Sequence, residues 1–256
     1  MIHSTAIIEA GAELADDVHV GAYSVIGKHV KIDAGSWIGP HVVIQGHTSI
    51  GKDNKIYQFS SIGEIPQDKK YDNEATQLII GDRNVIRECC TFNTGTTQDL
   101  GKTILGDDNW IMAYVHLAHD CVVGNNTIFA NNATLAGHVT IENDVILGGF
   151  TLVHQFCHIG EHAFTGMGAA ITKDLLPYMV AAGTPTTLSG VNKEGLRRKG
   201  FDDEARYRIN DAHKIIYRKK LTLNDALKEV VNKYGNYPDV MLMVDFCSKS
   251  KRGILR

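Results

Sequence analysis

Six of the 12 histidines crowd into residues 116–162: His116, His119, His138, His154, His158 and His162. An imidazole changes charge near neutral pH, so it can take a proton from a hydroxyl about to attack. Asp120 follows His119 directly, and its carboxylate can hold one ring nitrogen protonated and balance the imidazolium that forms. Gly137 precedes His138, and glycine lets a backbone N–H approach a developing oxyanion closely. No Ser or Cys nucleophile motif accompanies them, so the pattern points to direct transfer rather than an acyl-enzyme. Two other uses compete: a zinc site, for which no specific paired ligand spacing is present, and plain polar surface.

What could bring these residues together is a six-residue period. Every sixth residue from Ile8 to Ile62 is aliphatic, and the residue two before each is mostly small (Ala6, Ala12, Ser24, Ser36, Thr48). Residues 64–78 lose the pattern, but Ile80, Ile86 and Phe92 resume it in phase. A second break at 93–104 shifts the phase by one, and it then runs from Leu105 to Ile171 with Thr165 as the only failure. Six is neither the 3.6 of a helix nor the 2 of a plain strand. It suits a short strand plus a corner, three per coil, with coils stacked as parallel strands ~4.8 Å apart. The chain is expected to be mostly β, a parallel β-helix of about nine coils and about 40 Å tall over residues 1–175. The two breaks become loops at 64–78 and 93–104, and each is a candidate site. His119 and His138 are then one coil plus one residue apart, on neighbouring coils of one face. His154 lies one coil less two beyond. His116, His119, His138 and His154 can share one groove.

After a connector at 176–191, residues 192–256 read as a helical subdomain, with Ile209, Ala212, His213 and Ile216 on one stripe and Thr222 as an N-cap. Charge follows this division. Residues 1–192 hold 10 Lys and Arg against 20 Asp and Glu, a net of −10, and residues 193–256 hold 16 against 9, a net of +7. A basic segment around Arg197-Arg198-Lys199 suits phosphates or an acidic protein surface. Nucleic acid is a poor fit, because aromatic interleaving is sparse and the body is acidic. No apolar run approaches the ~18 residues needed to span a bilayer, and the N-terminus lacks a signal-peptide pattern, so a cytoplasmic protein is expected. The five cysteines read as reduced thiols, Cys121 and Cys157 being small inward residues.

At His116-Leu117-Ala118-His119-Asp120, Asn131 to His138, His154-Gln155-Phe156-Cys157 and Val191 to Arg198 the chain resembles the UDP-N-acetylglucosamine O-acyltransferases. The likeness extends over essentially the whole chain, including Gln67-Asp68-Lys69-Lys70-Tyr71. The resemblance implies a left-handed helix, a homotrimer with sites between columns, and no cofactor. It implies transfer of a 3-hydroxyacyl group from acyl carrier protein to the glucosamine 3-hydroxyl of UDP-N-acetylglucosamine, the first step of lipid A synthesis. His119 would be the base, Asp120 its partner and the Gly137 N–H the oxyanion donor. Gln67, Asp68, Lys70, His116, His138, His154 and Gln155 would line the groove, and Asn192, Glu194 and Arg198 would meet the nucleotide. Met167 stands where the family's acyl-length ruler lies and should shorten the chain to hydroxydecanoyl or hydroxylauroyl. Thr94 replaces an expected basic residue, and Lys199 a second Arg. Rival readings are a CoA-dependent acetyltransferase, a later N-acyltransferase of the same pathway, a zinc γ-carbonic anhydrase and a purely structural solenoid.

Overall fold

The computed structural model describes residues 1–256. The hexads form three parallel sheets that share one core. The first sheet has nine strands from Ile7–Ile8 to Ala170–Ile171, and the second has eight from Glu13–Leu14 to His158–Ile159. The third runs from His19–Val20 to Phe164–Thr165 and on through Met179–Ala182 and Thr187–Val191, ten strands in all. Most rungs are two residues long, the first side chain pointing outward and the second, usually aliphatic, inward before the chain turns.

The inward positions are sealed: Val20, Ile26, Ile62, Leu117, Phe129 and Leu147 are all 0% exposed. Thr165, the exception to the pattern, is also fully buried, and its hydroxyl pairs with the Thr151 hydroxyl at 2.8 Å and accepts from the Gly148 N–H at 3.1 Å. A polar residue is tolerated there because both its partners come with it. Buried Asn54, Asn84 and Asn109 form a second internal ladder, each side-chain oxygen accepting the backbone N–H of the residue above at 2.8–3.0 Å. Burial pushes the thiols of Cys90 and Cys121 up to about 12 and those of Cys157 and Cys247 up to about 11, so these cysteines are packing groups.

Register explains the two phase behaviours of the sequence. Ile62 pairs with Phe92 and Ile50 with Ile80, a spacing of 30, so the first loop inserts two whole hexads. Ile80 pairs with Leu105 and Phe92 with Leu117, a spacing of 25, so the second loop inserts seven residues and moves the phase by one.

The stretch 176–191, expected as a connector, is part of the column's upper end. Met179–Ala182 pairs parallel to Phe164–Thr165, and Thr187–Val191 folds back antiparallel on it. Four helices follow: α1 (Lys193–Arg198), α2 (Asp203–Arg218), α3 (Leu223–Tyr234) and α4 (Pro238–Lys249). The Asp202 and Thr222 side chains cap α2 and α3, and Ile209, Ala212, His213 and Ile216 form the buried stripe of α2. The helices are tied to the column through buried Asp174, which accepts from the Ser250 hydroxyl at 2.6 Å and from the Leu255 N–H at 2.8 Å. No helix is long and apolar enough to cross a membrane.

Candidate active site

The prism has three edges, and most corners above the first coils carry a residue in the left-handed region. On the edge between the first and second sheets these are Asp120, His138 and Phe156, with φ of 59°, 63° and 63°. Stacking at one corner type is what brings distant histidines together. The His119 and His138 rings meet edge-to-face at 4.9 Å, and His138 stacks on Phe156 at 4.4 Å.

His119 Nδ1 lies 2.9 Å from Asp120 Oδ2. An ionised carboxylate only accepts, so Nδ1 carries the proton and Nε2 is left as the base. Asp120 is 2% exposed. Burial pushes its carboxyl up, but hydrogen bonds from His119, the Thr96 hydroxyl and the Thr96 N–H outweigh this, aided by His138, and hold it below the ordinary Asp value. The Thr96 hydroxyl donates at 2.6 Å and its N–H at 3.0 Å, while the Asp120 N–H donates to the Thr103 hydroxyl at 2.9 Å. His116 Nδ1 is 2.7 Å from the Thr91 hydroxyl, and burial lowers its pKa.

Gly137 is required by space rather than by φ. A Cβ there would sit 2.6 Å from His119 Cε1 and 2.7 Å from Nε2. Its N–H donates to no group of the chain.

These groups open onto a cleft of about 860 Å³ lined by Gln67, Asp68, Lys70, His116, His119, Gly137, His138 and Gln155. Gln98 and Asp99 line it as well, so both inserted loops reach the site. Thr94, buried between them, joins its hydroxyl to that of Thr76 at 3.2 Å. His154 is not in this lining; it is exposed, with Nδ1 3.2 Å from the Gln155 carbonyl. Asn192, Glu194 and Arg198 lie elsewhere, on a second cleft of about 650 Å³ with Asp144, His162 and Lys199. Asn192 caps α1 and donates to the His162 carbonyl at 3.0 Å. Glu194 accepts from Arg197 and Arg198, which hold its carboxyl down at about 2. Met167 is 81% exposed at an upper corner and lines neither cleft.

Sequence reasoning missed Thr96, Gln98, Asp99, Thr103, Phe156 and Lys251. Phe156 was legible, since it is 18 residues after His138. Loop residues carry no period and were not. The His119, Asp120 and His138 ligand atoms lie within 4.8 Å of one another, a spacing a cation could accept. The Asp120 oxygens are, however, already engaged by Thr96 and His119, which favours a hydrogen-bonded base over a metal ligand.

Comparison with known proteins bears on the same residues. A bacterial transferase hexapeptide description matches 102–137, and "Udp N-acetylglucosamine O-acyltransferase; Domain 2" matches 174–255. Acyl-[acyl-carrier-protein]–UDP-N-acetylglucosamine O-acyltransferases of Thiobacillus denitrificans and Herminiimonas arsenicoxydans are 55% and 57% identical, covering 100% of this chain and 99% of theirs. The chain belongs to the UDP-N-acetylglucosamine O-acyltransferase family.

Solved members superpose throughout. The Moraxella catarrhalis O-acyltransferase gives a TM-score of 0.98 at 45% identity, covering 100% of this chain and 99% of that one. The Arabidopsis acyltransferase gives 0.88 at 34% identity, with both chains covered completely. The column is left-handed like theirs; a coil of opposite hand would not superpose at that level. The family-specific description falls on the C-terminal region, and the one matched by the repeat is of bacterial transferases in general.

Proposed function

We propose that this chain transfers a 3-hydroxyacyl group from acyl carrier protein to the glucosamine 3-hydroxyl of UDP-N-acetylglucosamine, the first step of lipid A synthesis. Family membership supports the substrates. The observation that carries the mechanism is the His119–Asp120 pair beside an uncommitted Gly137 N–H.

His119 Nε2 takes the hydroxyl proton as the sugar oxygen bonds to the thioester carbonyl carbon. The carbonyl oxygen becomes an oxyanion, to which the Gly137 N–H donates. Collapse expels the pantetheine thiolate, and the His119 imidazolium returns its proton to that sulfur. Asp120 keeps the ring in the required tautomer throughout. Gln67, Asp68, Lys70, His116, His138 and Gln155 bind the sugar and acyl groups in the cleft. The acyl thioester is a substrate, and no cofactor is needed.

Within one chain the Asn192, Glu194 and Arg198 cleft is separate from the His119 cleft, so we place the complete site between columns of a homotrimer. There Asn192, Glu194 and Arg198 would face the nucleotide, and His154 would extend the sugar and acyl groove. An exposed aromatic row on the edge between the third and first sheets supports this packing: Tyr23, Phe59, Tyr114 and Phe150 are each 59–62% exposed. Met167 then closes the far end of an acyl channel and selects hydroxydecanoyl or hydroxylauroyl. The basic C-terminal helices meet the acidic carrier protein, and the reaction belongs in the cytoplasm.

The experiment is incubation with UDP-N-acetylglucosamine and a panel of 3-hydroxyacyl carrier proteins, reading the nucleotide product by mass. Product that falls about 10²–10⁴-fold in His119→Ala supports the base assignment. Product only from acetyl-CoA, or activity abolished by chelation and restored by zinc, would overturn the reading. Met167→Gly should lengthen the preferred chain.

A further inference from the structure

Beside His119, a second imidazole of the cleft has a carboxylate on Nδ1. His138 Nδ1 lies 2.7 Å from Asp99 Oδ2 and 3.8 Å from Asp120 Oδ2. Asp120 is already engaged by Thr96 and His119, so Asp99 is the partner in hydrogen-bond contact. The two carboxylates differ in kind. Asp120 belongs to the column and its side chain is 0% exposed; Asp99 belongs to the 94–101 loop and its side chain is 41% exposed. The loop is itself held in place, with Thr96 bonded to Asp120 and the Thr97 hydroxyl donating to Glu74 at 2.9 Å.

The chemistry follows from which atoms can donate. A carboxylate accepts only, so Asp99 requires a proton on His138 Nδ1. In the neutral ring Nε2 is then a bare acceptor. Phe156 covers one face of the ring and His119 meets it edge-on. The other titratable groups lining the cleft are Asp68, Lys70, His116 and Lys251.

We propose that Asp99 is a positioning residue that fixes His138 as its Nδ1–H tautomer, making Nε2 a hydrogen-bond acceptor for a hydroxyl or amide N–H of the bound sugar. The acceptor role rests on the sugar-nucleotide reading above; the hold of Asp99 on the ring does not. Loop 94–101 thus contributes to both histidines: Thr96 steadies the partner of the base, and Asp99 sets the polarity of the binding imidazole.

The test separates the two claims. Long-range ¹H–¹⁵N spectra of histidine-labelled protein, with His138 assigned through His138→Gln, read the tautomer directly. Wild type should show Nδ1–H, Asp99→Ala should move toward Nε2–H, and Asp99→Asn, whose amide oxygen still accepts, should restore the wild-type form. In kinetics Asp99→Ala should raise KM for UDP-N-acetylglucosamine about tenfold, the loss of one hydrogen bond, with kcat within about threefold. Asp99→Asn should lie near wild type. Identical His138 spectra in wild type and Asp99→Ala, or a fall in kcat at constant KM, would overturn the proposal. A tautomer shift in a protein that acylates no nucleotide sugar would support the hold of Asp99 and overturn the function reading instead.

Discussion

Two edges of the prism share a backbone and differ in what their corners carry. On the edge between the second and third sheets, Asp107, Asn125 and Asn143 occupy the position just before the left-handed residue. The Asp107 N–H donates to Asn125 Oδ1 at 2.7 Å, and the Asn125 N–H to Asn143 Oδ1 at 2.8 Å. Each side chain caps the amide of the coil beneath. On the edge between the first and second sheets the same positions are His119, Gly137 and Gln155. Gly137 has no side chain to cap the His119 amide, and Gln155 does not cap Gly137. The cap-free corner leaves a donor uncommitted and makes room for the imidazole. In this fold a catalytic corner is a structural ladder with one rung removed, and the scaffold beneath is unchanged.

Restoring the rung at Gly137 should have the largest effect. Gly137→Asn should fold, since Asn fits the same corner at 125, but its Cβ would stand 2.6 Å from His119 Cε1 and push the imidazole out of place. Activity should drop about 10²–10⁴-fold, as for loss of a general base, with circular dichroism and melting temperature nearly unchanged. An active Gly137→Asn enzyme would show that the missing rung is incidental.

The reverse expectation applies to the buried ladder. Asn109→Ala would leave the Thr127 N–H and hydroxyl, both 0% exposed as part of that residue, without an acceptor. A cost of about 1–3 kcal/mol is expected in denaturant unfolding, with turnover per folded molecule retained. A smaller cost, about 0.5–1.5 kcal/mol, should attend Asn125→Gly, which removes one outer rung. That variant creates a Gly137-like corner with no imidazole beside it, so any gain of activity would contradict the roles assigned to His119.

Acid should separate the edges more gently. Asp120 has a folded pKa below its unfolded value. Its contribution to stability is complete above about pH 4 and is lost as pH falls through the lowered folded value. The Asn125 and Asn143 rungs do not titrate, and the Asp108 carboxylate on that edge, held low by Arg83, is unchanged in Asp120→Asn. Unfolding between pH 5 and 3 should therefore weaken wild type more than Asp120→Asn; equal slopes would mean that Asp120 is not held as described.

Legibility tracked periodicity. The core positions, the stacking of His119 with His138, and even the size of each loop's phase shift follow from counting sixes, because a coil of fixed length maps sequence spacing onto height. The hairpin at Met179–Val191 escaped, since an antiparallel return has no hexad repeat. Thr96 and Asp99 escaped because an inserted loop obeys no register, and its contacts to Asp120 and His138 depend on how it folds back.

The column, its corners and which corners could hold an imidazole and a carboxylate were all readable from residue type at a fixed period. It took the folded chain to show which amides are capped, that a methyl on Gly137 would meet the His119 ring within 3 Å, and that two loops close over the pair. Those facts depend on approach across coils and between insertions, where differences of less than an ångström settle whether a bond forms and no spacing along the chain encodes the distance.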